Sequence, residues 1–444
     1  MPEIAVTRSY EIYERAGELI PGRTQLISRR ASRFANGISP LYAQSAKGSR
    51  FIDVDENEYI DWMSGVEAII LGHADDVVDR EVEKQIRRGS LYSLNSPLEI
   101  ELAELLVDTI PSAEMVRYTK GGGEACAVAA RIARGTTGRD KIIFCGYHGW
   151  HDWYQAANYE ADPVSGEFPF AGIEPIGVPK VLAGTVIPFP YGDLDALKHL
   201  LDEHAGEVAA VMMEPLRSTL PEPGYLEGVK ELAHAHETIL IFDEVSCGWR
   251  LSVGGVQEYL GITPDMTVLA KAMSNGYPMG AVVGSRAVME PASRMFVSSS
   301  YWSDNIGLAA AITTIRELKR RNSAAFFLET GEKLRRALND SIAGAGLSGE
   351  FTGLHTHPNL SLSLPDETLR PKVNTLFIQE MARRGIHCPM GFSINMAHSV
   401  EDIRQTAEAA SESFTVIRSG LESGDLDSLL LCDLKQDPFR RLVR

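Results

Sequence analysis

The sequence predicts an α/β protein: a large domain on a mainly parallel sheet, and a smaller α/β domain. Three observations carry that prediction. From roughly residue 71 to 315, short apolar runs rich in β-branched residues alternate with segments of helical period. The runs are Lys141–Cys145, Val208–Met213, Ile239–Phe242, Met266–Ala270 and Ala281–Val283. Runs that are apolar at successive positions read as buried parallel strands, because helices cover both faces of such a sheet. Second, 444 residues with 44% hydrophobic content can bury a large core, and the length suggests about two or three domains. Third, the segments on either side of the central region have a different texture.

Residues 1–70 open with a polar helix over Tyr10–Leu19. They continue with Arg50–Asp61, which reads as two short strands around an acidic turn. Residues 71–315 carry the strand and helix alternation. Residues 316–444 open with a charged helix around Leu318–Arg321 and then alternate helices with a strand-like Leu360–Leu364, the pattern of a smaller α/β domain.

Composition narrows the function. The net charge is −17, so neither a phosphate backbone nor an anionic membrane surface is an expected partner. The N-terminus lacks the basic and apolar stretches of a secretory signal, and no run approaches the roughly 18 apolar residues of a membrane span. Five scattered cysteines without a C-x-x-C pair fit reduced thiols and a cytoplasmic location.

In open α/β sheets, ligands bind beyond the carboxyl ends of the strands, so the residues that follow each strand are the ones to inspect. The run at 239–242 ends in Asp243-Glu-Val245, and the run at 266–270 ends in Lys271. A lysine amine delivered from an apolar run is a nucleophile toward carbonyls. Lysine and carboxylate together are what a pyridoxal site requires, one to hold the aldehyde as an imine and one to keep the ring nitrogen protonated. Alone, the two residues read equally well as a structural ion pair. Lys120-Gly-Gly-Gly-Glu124 precedes a helix at about 124–134, where backbone N–H groups can meet an anion, although a glycine run before a helix is often only a turn. After 141–145 comes the aromatic loop Gly146-Tyr-His-Gly-Trp-His-Asp-Trp153, suited to stacking on a planar ring or to capping the core. His148, His151 and Asp152 raise the question of a metal, but no further ligand set of familiar spacing follows, and none is expected.

At this point the residues resemble class III, fold-type-I aminotransferases dependent on pyridoxal 5′-phosphate (PLP), most closely the branch similar to glutamate-1-semialdehyde aminomutase. The likeness runs over nearly the whole chain. It comprises Arg50–Asp61, Ile70-Leu-Gly-His73, Arg131–Asp140, Tyr147-His-Gly149, Met213-Glu-Pro215, Phe242-Asp-Glu-Val245 with Gly248-Trp-Arg250, and Leu269–Pro278. The resemblance implies that Lys271 holds the cofactor as a Schiff base and then shuttles the substrate proton. Asp243 would pair with the ring nitrogen, Val245 and Tyr147 would cover the two ring faces, and Gly121, Gly122 and Gly123 would form the phosphate cup. Ser300, or its neighbours Ser299 and Tyr301, would reach the phosphate of a neighbouring subunit. A homodimer with active sites at the interface is implied too, with a small domain formed by the N- and C-terminal parts.

Three departures matter. The family cup offers hydroxyl side chains where Gly121 and Gly123 stand here, so backbone donors do more, or Lys120 compensates. Tyr42 occupies the segment where the aminomutases place an arginine for the substrate carboxylate, and it cannot make that bidentate contact. Glu67 brings a carboxylate where small or aromatic residues are usual, which suits a substrate hydroxyl or positive charge unless it points to solvent or meets an arginine. Arg217 is the remaining candidate for a substrate carboxylate. The Gly- and Pro-rich stretch between Ala156 and Gly184 reads as a loop over the pocket.

The leading expectation is a ping-pong aminotransferase moving an amino group from a donor such as glutamate to a ketone or aldehyde, a keto-sugar or other specialised metabolite. The alternatives are a 2,1-aminomutase of the glutamate-1-semialdehyde type and a catalytically silent PLP-fold scaffold.

Overall fold

In the computed structural model, which describes residues 4–159, 174–216 and 218–436, the amino-terminal segment forms the helix Thr7–Leu19 and three antiparallel strands. These are β1 (Ala43–Lys47), β2 (Arg50–Asp53) and β3 (Glu58–Asp61). The expected acidic turn joins β2 to β3, and Asp53 Oδ1 closes it by accepting from the N–H groups of Asp55 (2.9 Å) and Asn57 (2.8 Å). The central region supplies β4 (Met115–Thr119), β5 (Lys141–Cys145), β6 (Val186–Pro188), β7 (Val208–Met213), β8 (Ile239–Asp243), β9 (Met266–Leu269) and β10 (Gly280–Gly284). The carboxyl-terminal segment adds the hairpin β11 (Gly349–Thr352) and β12 (Asn359–Leu362), the helix Arg370–Ala382, β13 (Ile386–His387) and the helix Val400–Ser423.

Contacts divide the chain into two units. Among the described residues, one holds those up to 75 and 325–436; the other holds those between 76 and 324. The first is built on a four-stranded sheet of order β1-β2-β3-β13, in which β13 lies parallel to β3. The second is built on a seven-stranded sheet of order β4-β10-β9-β8-β7-β5-β6.

The large sheet is buried on both faces, and the period-2 alternation of side chains explains its composition. Ile142, Phe144, Met212, Ile241 and Val268 face the helix Gly122–Thr137, which contributes Ala125, Cys126, Ala129, Ile132 and Ala133. Ile143, Cys145, Val211, Met213, Leu240 and Phe242 point the other way, onto Leu197, Leu201, Leu226 and Val229 of the helices Leu194–Glu203 and Tyr225–Ala235.

One strand runs against the parallel expectation. Ala281–Val283 lies in β10, which is antiparallel to both β4 and β9. The connection from β9 to β10, residues 270–279, holds only the 3-10 turn Lys271–Ser274, whereas a parallel return needs a crossover of roughly a dozen residues or more, usually a helix. The charged segment around Leu318–Arg321 opens no new helix either; it is the tail of Asn305–Arg320, N-capped by Asp304 through the N–H of Ile306 at 2.9 Å. Among the described residues no helix is long and apolar enough to cross a membrane.

Candidate active site

Strands β5, β7, β8 and β9 are mutually parallel or linked through parallel neighbours, so their carboxyl ends open on one edge of the sheet. At that edge Asp243 closes β8, only 2% exposed. Its carboxylate is anchored from three elements. His148 Nδ1, in the loop after β5, lies 2.8 Å from Oδ2. Cys126, on the helix Gly122–Thr137, donates its thiol to the same oxygen at 3.2 Å. The Val245 N–H donates to Oδ1 at 3.0 Å. A carboxylate has about four acceptor positions, so these three donors leave one, on Oδ1. His148 is wholly buried and its Nε2 has no hydrogen-bond partner among the described residues. A proton there would be an orphaned donor, so the ring carries it on Nδ1 and donates to Asp243.

The glycine run sits beside this carboxylate through Val245. A Cβ added at Gly122 would stand 2.6 Å from Val245 Cγ1, and one at Gly123 would meet Gly149 Cα at 3.2 Å. Gly149 itself needs its φ of +103° to pass Gly123 so closely. At Gly121, by contrast, an added Cβ meets nothing within 4 Å. The helix begins at Gly122, and its first N–H groups have no intrahelical acceptor. Glu124 reaches back to accept from the Lys120 N–H at 2.7 Å and takes the indole N–H of Trp302 at 2.8 Å.

Lys271 follows β9 with φ +47°, a left-handed conformation that costs a non-glycine residue about 1–2 kcal/mol and tends to persist at functional sites. Its Nζ donates to Ser246 Oγ at 2.7 Å, three residues past Asp243. Tyr147 is 36% exposed; its N–H donates to Glu214 Oε2 at 3.0 Å, and its ring meets Tyr154 edge-on at 6.1 Å. Glu214, after β7, is itself buried.

The structure therefore brings Gly122, Val245 and Asp243 together directly, with Gly121 and Gly123 flanking Gly122, Tyr147 preceding the His148 that meets Asp243, and Lys271 reaching Ser246 beside Val245. Ser300 and its neighbours Ser299 and Tyr301 lie exposed in the loop before Asp304. Tyr42 and Glu67 belong to the other unit. Tyr42 is half-buried, its N–H donating to Ser9 Oγ at 3.2 Å. Glu67 ends a turn in which Ser64, Gly65, Val66 and Glu67 all have positive φ (48°, 61°, 59° and 68°). Ser64 holds the turn by donating to Ser393 O at 2.8 Å and accepting from Asn395 Nδ2 at 3.0 Å. Glu67 Oε1 lies 3.9 Å from His357 Nδ1. Arg217, and residues 160–173 of the expected pocket loop, lie outside the described residues.

One expectation changes. Lys120 is no spare cation for the cup, because its ammonium pairs with Asp304. His148 turns to Asp243, while His151 stacks on Trp150 at 4.5 Å. Sequence reasoning gives neither Cys126 nor Ser246 a place in the site. Cys126 looks like one more small core residue of an alanine-rich helix, and only folding reveals that it reaches Asp243.

The donor set fits a planar, anionic ring bearing an aldehyde and a ring N–H. There is a primary amine in Lys271, one remaining acceptor on Asp243, open space at Gly121, and helix-end N–H groups for the anion.

The sequence matches the family described as aminotransferase class-III over residues 33–345. It is 34% identical over 430 residues to 3-aminobutyryl-CoA aminotransferase of Cloacimonas acidaminovorans, covering 94% of this chain and 99% of the relative. It is also 34% identical over 432 residues to a glutamate-1-semialdehyde 2,1-aminomutase of Exiguobacterium sp., covering 92% and 97%. The fold is similar to that of an omega-transaminase from Sphaerobacter thermophilus, with a TM-score of 0.81 at 28% identity, covering 91% of this chain and 97% of that one.

Proposed function

Because this chain belongs to the class-III aminotransferase family, a PLP-dependent enzyme class, we propose that it works by a ping-pong route through Lys271. In that route an amino donor, glutamate being the first candidate, loads the enzyme, and a ketone or aldehyde then takes the nitrogen. When bound, the cofactor supplies an electron sink for the substrate carbanion. The protein's residues do the rest. The Lys271 amine carries the cofactor and moves the proton at the substrate's reacting carbon, with Ser246 Oγ holding Nζ in place. Asp243 presents its remaining Oδ1 acceptor to the ring nitrogen. Val245 and Tyr147 pack against the ring, and Gly121, Gly122 and Gly123 turn N–H groups to the phosphate. The observation that carries this reading is the single acceptor position left on a carboxylate already filled by three donors.

On the substrate side we propose Tyr42, Glu67 and Arg217 as contacts, on the strength of the resemblance. Tyr42 in place of an arginine favours an acceptor with no free carboxylate beside the reacting carbon. A keto-sugar is one such compound, and a β-keto acyl thioester, the carbonyl counterpart of the amino acyl thioester in the name of the Cloacimonas relative, is another. The 2,1-aminomutase reading keeps the same Lys271 chemistry and draws its support from the Exiguobacterium relative.

We further propose a cytoplasmic homodimer. The resemblance carries that proposal, and the large side chains of Trp150, Phe296 and Tyr301, 68%, 88% and 67% exposed in the unit that carries Lys271, are ones a second subunit would cover. Ser300 lies in the same stretch, where it could reach a partner's phosphate. All five cysteines are free thiols, which suits a reducing compartment.

The test is the visible absorbance of the PLP-loaded protein before and after addition of glutamate or other amines. A cofactor band that shifts with one donor, and a Lys271→Ala protein that does not respond, is the expected result. Rearrangement of a substrate by the amine-loaded enzyme with no donor present would favour the aminomutase instead.

A further inference from the structure

We infer that Cys126 is a positioning residue for the cofactor: its thiol and His148 together pin Asp243 Oδ2, so that only Oδ1 is left to receive the ring nitrogen. The inference rests on the reading of Asp243 as that nitrogen's partner. Asp243 receives one donor from each of three places, namely the helix Gly122–Thr137, the loop after β5 and its own loop, and this fixes both rotation and tilt of the carboxylate. Without the thiol, Oδ2 would keep a single donor and an open lone pair, and the carboxylate could turn either oxygen toward the ring.

Three features mark the thiol as a donor and not merely a space-filler. It lies 3.2 Å from Oδ2, and Cys126 is 1% exposed. Burial, with the neighbouring Asp243 charge, pushes the thiol well above its ordinary range, so it keeps the S–H that a carboxylate wants. The other charged group that reaches the thiol, Glu214, is an acid and not a competing donor.

The same three side chains could be read as a metal site, since their ligand atoms lie within 4.8 Å of one another. A metal would need the His148 Nδ1 lone pair. That would move the ring proton to Nε2, which has no acceptor among the described residues. A proton-bearing network satisfies all three groups, and a metal does not.

The test compares wild type with Cys126→Val, which stays apolar, adds one methyl and loses the donor, and with Cys126→Ser, which keeps a donor. Binding to the apoenzyme is measured by equilibrium dialysis for PLP and for an analogue in which the ring nitrogen is replaced by C–H. Cys126→Val should bind PLP about 10- to 150-fold more weakly, the size of one lost hydrogen bond to a charged group. Cys126→Ser should stay close to wild type, and all three proteins should bind the analogue equally. Wild-type affinity for PLP in Cys126→Val would overturn the inference. So would an equal loss toward PLP and analogue, which would make Cys126 a packing residue. If wild type itself fails to distinguish PLP from the analogue, the pairing of Asp243 with the ring nitrogen falls, and this inference with it. Stoichiometric zinc in wild-type apoenzyme that Cys126→Val abolishes would overturn it in favour of the metal. Should the valine variant not fold, Cys126→Ala carries the same comparison.

Discussion

Asp61 and Asp243 end strands in the two units and are built alike. Each is nearly buried, at 5% and 2% exposed. Each takes the N–H two residues on, from Met63 at 2.9 Å and Val245 at 3.0 Å. Each has a histidine nitrogen at 2.8 Å, His73 Nε2 and His148 Nδ1. A buried aspartate with a histidine and its own loop's N–H is thus a recurring brace at a strand end and no signature of chemistry. What distinguishes Asp243 is its company: a third donor on the same oxygen as the histidine, a glycine run against Val245, and Lys271 within one residue's reach through Ser246.

The sharpest break in the comparison is a pair of asparagine substitutions. Asp243→Asn should lower turnover by about 10²–10³-fold, the range for removing one preorganised electrostatic partner, and loosen the cofactor. Both asparagines disturb a buried, hydrogen-bonded carboxylate and should cost about 1–3 kcal/mol in denaturant unfolding of the apoprotein, but Asp61→Asn should leave PLP affinity unchanged. If both variants lose PLP alike, the two aspartates are not separable in role.

The glycine run gives a finer contrast. Gly122→Ala drives a methyl into Val245 and should destabilise by about 1–3 kcal/mol and weaken PLP binding, because overpacking moves the loop that carries Asp243. Gly121 is extended, with φ −158° and open space, so Gly121→Ser should fold normally. It should hold PLP as well as wild type or better, by up to about 1 kcal/mol if the hydroxyl finds the phosphate. Thermal melts and PLP titrations of the two variants distinguish these outcomes.

The smallest expected effect is in acid. Burial pushes the Asp61 carboxyl up, but the His73 hydrogen bond, helped by His387 and the Met63 N–H, outweighs it and leaves the group below its ordinary value. A carboxyl lowered by folding contributes stability that is complete above its unfolded value, near 4, and is lost as pH falls through the folded value. Asp61→Asn should therefore flatten the decline in stability below about pH 4, measured by denaturant midpoints across pH. An unchanged slope would mean that Asp61 carries no proton-linked stability.

Much of this was readable before folding. Continuous apolar runs announce strands buried on both faces, and β5, β7, β8 and β9 fall where those runs stand. The same double burial erases strand direction, which is why β10 reads as parallel although its short connection to β9 makes it antiparallel. Asp243 and Lys271 are visible because chemistry in open sheets collects at strand ends. Cys126 is hidden because its partner lies 117 residues away and its own neighbours are alanines. The left-handed turn Ser64–Glu67 is hidden for another reason: serine, valine and glutamate give no local sign of positive φ, and contacts from Ser393 and Asn395 impose it.

The central claim is that Lys271 is the residue that carries the cofactor. Reduction of the PLP-loaded protein with borohydride, followed by peptide mapping, tests it directly. The account predicts a single phosphopyridoxyl addition on Lys271 and none on Lys120. A stable addition on any other lysine, or none on a protein that holds PLP, would contradict it.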